Sequence, residues 1–171
     1  MARKRYAQIG LGGRSEMYTR ALMERYHENC QLVGLCDLNA GRLALRQKYV
    51  AGHAVDPQDA DVPGYAHTDF ERMIVETRPD TVIVTTKDCT HDDYICRALE
   101  LGCDVITEKP MTTDEKKCQR IIDTQRRTGH EVRVTFNYRY SPPRTQVKDL
   151  LMSGVIGDVL VAKAWDVQRR A

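Results

Sequence analysis
The sequence predicts an α/β fold, a doubly wound parallel sheet with helices on both faces, and two observations carry that prediction. Short apolar runs alternate with helical patterns of roughly 10 to 15 residues along most of the chain, as repeated right-handed βαβ units require. One of these runs, Thr81 to Thr85, is β-branched throughout, which suits a strand covered on both faces.

Arg5 to Ile9 is the first strand. It stops at Gly10-Leu11-Gly12-Gly13, and Met17, Tyr18, Ala21, Leu22 and Arg25 then follow at helical spacing. Gln31 to Cys36 is the second strand, closed by Asp37, and Asn39 to Val50 is a helix carrying Leu43, Leu45 and Val50. A polar stretch with Pro57 and Pro63 leads to a short third strand at Tyr65 to Ala66, and Asp69 stands as N-cap for a helix over Phe70 to Glu76. After the fourth strand, Thr81 to Thr85, Thr90 opens a helix with Asp93 three residues on. Tyr94, Ile95, Ala98 and Leu99 form its stripe, and Gly102 ends it. Cys103 to Thr107 is the fifth strand. Thr112 and Glu115 have capping-box spacing before Cys118, Ile121 and Ile122, Gly129 is the C′ residue, and Val132 to Tyr140 is the sixth strand.

Residues 1–140 are therefore expected to form one Rossmann-type domain. Pro142 to Met152 reads as a connecting helix with proline in its first turn, and Gly157 to Val167 as a strand with Val159, Val161, Trp165 and Val167 on one face. No later strand is there to pair with it, and natural proteins avoid such an edge. Residues 141–171 are thus read as the start of a second, truncated α/β domain; the alternatives are that this strand joins the parallel sheet edge or pairs with a partner chain.

Composition narrows the function. The 171 residues are 42% hydrophobic and 29% charged, with mean hydropathy −0.52. That is an ordinary globular balance, long enough for one core of roughly 100 to 200 residues and a fragment of another. No apolar run approaches the roughly 18 residues of a membrane span, and the Met1 to Arg5 segment leads into a strand rather than a secretory core. Six cysteines, Cys30, Cys36, Cys89, Cys96, Cys103 and Cys118, are dispersed without a Cys-x-x-Cys pair. They read as reduced thiols in a cytoplasmic protein with no metal site. With Lys+Arg 26 against Asp+Glu 24 and only short basic clusters, a nucleic-acid surface is not expected.

The chemistry starts at Gly10-Leu11-Gly12-Gly13-Arg14-Ser15, a G-x-G-x-x-S variant of the dinucleotide fingerprint. Gly10 permits the tight turn, Gly12 lets the backbone approach a pyrophosphate, Gly13 adds conformational freedom, and Ser15 is small enough for close helix–strand packing. Asp37 ends the second strand 22 residues after Ser15, near the roughly 20 expected of an acid that binds an adenosine ribose. Its carboxylate would repel a 2′-phosphate, so NAD is preferred, while Arg42 nearby leaves NADP admissible. Thr85 and Thr86 follow the fourth strand, where backbone and hydroxyl groups suit contacts to the nicotinamide half. His91 either faces that crevice or serves as a capping or solvent-facing residue. Period 2 over the sixth strand would put Phe136, Tyr138 and Tyr140 on one face, as core or interface, and turn Asn137 and Arg139 toward the crevice, with Arg139 alternatively bridging the domains.

Glu108-Lys109-Pro110 closes the fifth strand, and on its own it would be a solvated charge pair. Together with Gly10 to Ser15, Asp37 and Asn137-Tyr138-Arg139, it resembles the glucose-fructose oxidoreductase, inositol dehydrogenase and rhizopine catabolism family, Gfo/Idh/MocA. The likeness covers the chain as the N-terminal half of such a protein, and Leu150 to Asp158 looks like the family's entry into its second domain. The resemblance implies a nicotinamide cofactor, a sugar, cyclitol or related polyol substrate, and a catalytic Lys109 beside the nicotinamide and the substrate hydroxyl. Glu108 would contact the cofactor, Asn137 would be a further cofactor contact, and Pro110 would direct the chain through a cis bond. A further proton-transfer residue would come from the missing domain. One competing reading shares all these motifs, an NAD-dependent glycoside hydrolase that works by transient oxidation and elimination; another, a non-enzymatic dinucleotide-sensing regulator, would keep the fold without the chemistry, and the intact Glu108-Lys109-Pro110 weighs against it. A homo-oligomer is expected of the full-length protein.

Overall fold
A computed structural model describes residues 2–158 of the chain. These fall into two compact units, one running to Thr135 and the other starting at Phe136. In the first, the strands β1 (Lys4–Ile9), β2 (Cys30–Asp37), β3 (Gly64–Ala66), β4 (Thr81–Val84), β5 (Asp104–Glu108) and β6 (Val132–Thr135) form one sheet in the order β3-β2-β1-β4-β5-β6. Every neighbouring pair is parallel. The order reverses between β1 and β4, which opens a crevice at the carboxyl ends of those strands.

The helices are α1 (Glu16–Arg20), α2 (Ala40–His53), α3 (Phe70–Thr77), α4 (His91–Glu100) and α5 (Glu115–Thr128). Alternation along the strands feeds two cores. Val82, Val84, Ile9 and Val105 pack with Phe70, Met73, Ile95 and Leu99 of α3 and α4, whereas Ile83, Leu32 and Leu35 pack with Leu22 and Val50 on the opposite face. Because β4 is central, all four of its residues are buried, and each fully buried aliphatic side chain contributes about 1.5–3 kcal/mol. Phe70, with no exposed surface, is the anchor of the larger cluster; its truncation to alanine would cost about 3–5 kcal/mol.

Several local expectations are corrected. The first helix is not continuous: Gly13–Ser15 is a tight 3₁₀ turn, α1 follows, and Ala21–Arg25 widens into a π turn in which the Ala21 carbonyl accepts the Tyr26 N–H at 2.9 Å. The residue capping α5 is Asp114 rather than Thr112; its carboxylate accepts the Lys117 N–H at 3.0 Å. Asp69 and Thr90 sit at helix starts without side-chain capping bonds. The Asp69 carboxylate takes the Arg72 guanidinium instead, and the Thr90 hydroxyl meets Thr86 and the Lys87 carbonyl. The sixth strand stops at Thr135, because its partner β5 ends at Glu108, the residue paired with Thr135, and nothing remains to continue the ladder.

In the second unit, Asn137–Tyr140 form a 3₁₀ turn and α6 (Pro142–Met152) carries Pro142 and Pro143 in its first turn. The alternation expected over 136–140 is therefore absent, and Phe136, Tyr138 and Tyr140 are exposed rather than core residues. The strand expected over 157–167 lies, beyond Asp158, outside the described residues.

Candidate functional site
Gly10 leaves β1 with φ +85°, and a Cβ there would stand 2.6 Å from the backbone of Thr85 and Thr86. Both the left-handed conformation and the close approach demand glycine. Thr85 closes the clasp: its hydroxyl donates to the Gly10 carbonyl at 2.6 Å and its N–H to the Ile9 carbonyl at 2.9 Å. Gly12 and Gly13 differ, since an added Cβ would meet nothing within 4 Å at either. They border an open groove of about 360 Å³, lined also by Leu11, Glu16, Arg42 and Arg46.

Asp37 ends β2 buried beneath this turn. One carboxylate oxygen accepts the Leu11 N–H at 2.5 Å and the other the Asn39 N–H at 2.6 Å. The acid thus holds the glycine turn and the start of α2 together, and its remaining lone pairs are what a ribose would use. Arg42, four residues before Arg46 on α2, is exposed on the groove. Ser15 is fully buried, with its hydroxyl donating to the Gly12 carbonyl at 2.5 Å.

Arg14 turns across β4 toward β5, where its Nε donates to Glu108 Oε1 at 2.8 Å. The Tyr18 hydroxyl donates to the same oxygen at 2.7 Å and meets the Thr135 hydroxyl at 2.7 Å, while the Lys109 N–H donates to Oε2 at 3.2 Å. Burial alone would raise the Glu108 carboxyl, but the Tyr18 and Arg14 bonds outweigh it and hold the group below its ordinary range. Burial, with the Glu108 carboxylate adding to it, pushes the Tyr18 hydroxyl up to about 12, so it remains a donor at neutral pH.

Lys109 is exposed and is joined to Pro110 by a cis peptide bond. Among the described residues its ammonium has no hydrogen-bond or ion-pair partner. His91 is not solvent-facing. It is fully buried, with Nδ1 at 2.9 Å from the Pro110 carbonyl and Nε2 at 3.2 Å from the Thr86 carbonyl, so it ties the loop after β4 to the loop after β5. Asn137, in the 3₁₀ turn, belongs to the second unit. The structure thus brings together Gly10 to Ser15, Asp37, Arg42, Thr85, Thr86 and Glu108-Lys109 within the first unit.

Three residues were not singled out from sequence. Gln8, Tyr18 and Arg46 are polar groups within apolar patterns, and the readable signal was the Arg42–Arg46 spacing, which puts two arginines on one helix face. Among the described residues no cluster of His, Cys, Asp or Glu has the makings of a metal site, and no helix is long and apolar enough to cross a membrane. A dinucleotide fits the residues present: a clasp that only glycine permits, two glycines whose backbone is open to a groove, and arginine along its wall.

Residues 4–136 match the family described as "Oxidoreductase family, NAD-binding Rossmann fold", Gfo/Idh/MocA. YteT of Bacillus subtilis (strain 168) is 36% identical over 151 residues, covering 88% of this chain and 34% of YteT. The D-glucoside 3-dehydrogenase of Escherichia coli (strain K12) is 27% identical over 140 residues, covering 81% of this chain and 36% of the enzyme. The structure of myo-inositol 2-dehydrogenase from Lactobacillus plantarum superposes with a TM-score of 0.76 at 21% identity, over 92% of this chain and 43% of that one. The chain spans well under half the length of the curated relatives it matches.

Proposed function
The chain belongs to the Gfo/Idh/MocA oxidoreductases, whose Rossmann fold binds NAD, and on that premise we propose that it forms the cofactor-binding part of a dehydrogenase acting on a sugar, cyclitol or related polyol. The names of its relatives, a glucoside dehydrogenase and inositol dehydrogenases, support that substrate class. The observation that carries the reading is the Arg14–Glu108 contact at 2.8 Å, which anchors the residue next to Lys109 to the glycine turn.

In this reading Gly10 to Gly13 receive the pyrophosphate, Asp37 the adenosine ribose, and Thr85 and Thr86 the nicotinamide half. NAD supplies the hydride acceptor or donor; the chain supplies orientation and proton handling. Lys109 hydrogen-bonds the substrate hydroxyl at the carbon that exchanges hydride and helps carry its proton, and the ammonium stabilises developing negative charge on that oxygen. Glu108, held ionised by Arg14 and Tyr18, fixes the backbone from which Lys109 projects.

Titration of the 171-residue chain with NADH, followed by quenching of protein fluorescence or by calorimetry, tests the cofactor part. Saturable one-to-one binding that is lost in a Gly12→Ala variant with an unchanged melting temperature is expected. Absence of binding would end the proposal.

A further inference from the structure
Arg46 is an arginine buried to 9% exposure on α2, and among the described residues no carboxylate lies within ion-pair distance of it. Buried guanidinium groups are ordinarily paired, because desolvating an uncompensated charge is expensive. Its protein contacts are to neutral groups: Nη2 donates to the Ser15 hydroxyl at 3.0 Å, and its Cζ lies 5.8 Å from the centre of the Tyr49 ring. Arg46 also lines the groove bordered by Gly12 and Gly13.

Ser15 passes this contact on. Having accepted from Arg46, its hydroxyl donates to the Gly12 carbonyl at 2.5 Å, and its N–H bonds the same carbonyl at 3.1 Å. The Ser15 carbonyl is fixed in turn by the Gln8 amide at 3.0 Å, and Gln8 accepts the Thr19 hydroxyl at 2.8 Å; Gln8, Ser15 and Thr19 are all fully buried. A trans peptide is planar, with its C=O and N–H antiparallel. Holding the Gly12 carbonyl toward Ser15 therefore turns the Gly13 N–H away from it, and among the described residues that N–H has no acceptor.

We infer that Arg46 is a positioning residue for dinucleotide binding: through Ser15 it sets the Gly12–Gly13 peptide with its N–H free for a diphosphate, and its guanidinium is the buried counter-charge of that diphosphate. This rests on the cofactor reading above and adds to it a charge on α2, 31 residues from Ser15. Glu16, the carboxylate on the groove wall, makes the arginine charge matter more.

The test is NADH and NADPH affinity of the 171-residue chain carrying Arg46→Met, Arg46→Lys or Ser15→Ala, each measured across a range of NaCl concentrations beside its apo melting temperature. Arg46→Met should weaken both cofactors about tenfold or more and flatten the salt dependence of Kd. Arg46→Lys should restore the salt dependence and part of the affinity, and Ser15→Ala should weaken binding severalfold with the salt dependence intact. A purely structural arginine would lower the melting temperature without changing the salt slope, and that result overturns the inference. A loss confined to NADPH also overturns it, since that would put the charge at a ribose phosphate. If Arg46→Met does not fold, unchanged affinities in both other variants overturn it. Binding by the unsubstituted chain with an unaltered Arg46→Met affinity defeats the inference alone, whereas no binding by the unsubstituted chain defeats the cofactor reading and the inference with it.

Discussion
The Glu108 carboxylate accepts the Arg14 guanidinium at 2.8 Å, joining the end of β5 to the glycine turn after β1 across the intervening strand β4. Two loops that any ligand at the switch point must touch are thereby coupled. Since Tyr18 donates to the same oxygen, the carboxylate is the hub of the contact, and both donors favour its ionised form.

A pH dependence with a definite sign follows. The folded-state pKa of Glu108 lies below its ordinary value, so the group contributes stability that is complete above the unfolded carboxyl pKa of about 4.3 and is lost as pH falls through the lower folded value. Glu108→Gln should lower the melting temperature at pH 7 by an amount equivalent to about 1–3 kcal/mol. The gap between variant and unsubstituted chain should narrow between pH 5 and pH 3, on the order of the span in which carboxylates protonate. A gap that stays constant from pH 7 to pH 3 would show that ionisation of Glu108 does not hold the contact.

Gly10 and Gly12 should separate stability from binding. A Cβ at Gly10 meets backbone at 2.6 Å in a left-handed conformation, and Gly10→Ala should cost at least about 2 kcal/mol in urea denaturation. Gly12 has open space and an ordinary φ of −70°, so Gly12→Ala should unfold within about 1 kcal/mol of the unsubstituted chain yet lose NADH affinity, because its methyl enters the groove. Equal destabilisation by the two substitutions would contradict this division.

Asp37 is expected to act twice. With the carboxylate gone, Leu11 and Asn39 each lose an acceptor, and a ribose loses its anionic partner. Asp37→Ala should therefore lower stability by about 1–3 kcal/mol and weaken NADH more than NADPH, narrowing the preference between them. If calorimetry found the unsubstituted chain binding NADPH as tightly as NADH, Asp37 would have no part in selecting the cofactor.

The sheet was legible because its signals are repetitive. Thr81 to Thr85 and the turn at Gly10 each constrain the chain locally, and the helix over 142–152 announces itself by Pro142 and Pro143. The capping residues were less so: Thr112 and Asp114 both have the chemistry, and only the backbone, extended at Asp114, selects between them. The end of β6 was hidden because it depends on where β5 stops, a non-local fact. In the site, the glycine turn and Asp37 could be read from spacing, but the convergence of Arg14, Tyr18 and Glu108 spans 94 residues and follows no period. The partners of His91 are hidden for the same reason, since the carbonyl that meets its Nδ1 belongs to Pro110 on another loop.

Lys109 offers the sharpest test of how binding and chemistry are divided. Its ammonium is exposed and without a protein partner among the described residues, whereas the groups proposed to hold the dinucleotide lie in the turns after β1 and β4, at the end of β2 and on α2. Orientation of two reactants supplies roughly 7–11 kcal/mol of barrier reduction, and under the proposed function the substrate-orienting part of that is assigned to residues outside this chain. The 171-residue chain should therefore bind NADH and show no polyol oxidation when myo-inositol or a glucoside is offered with NAD and absorbance at 340 nm, on the order of NADH's own maximum, is followed. Where this chain is joined to a substrate domain such as the proposed function requires, Lys109→Ala should reduce kcat by about 10²–10⁴-fold, the range of a lost general acid–base group, while NADH affinity stays within severalfold. Turnover by the 171-residue chain alone would show that its own residues complete the site. Undiminished turnover by Lys109→Ala would remove Lys109 from proton transfer and leave Glu108 and Arg14 as cofactor-loop anchors without a catalytic neighbour.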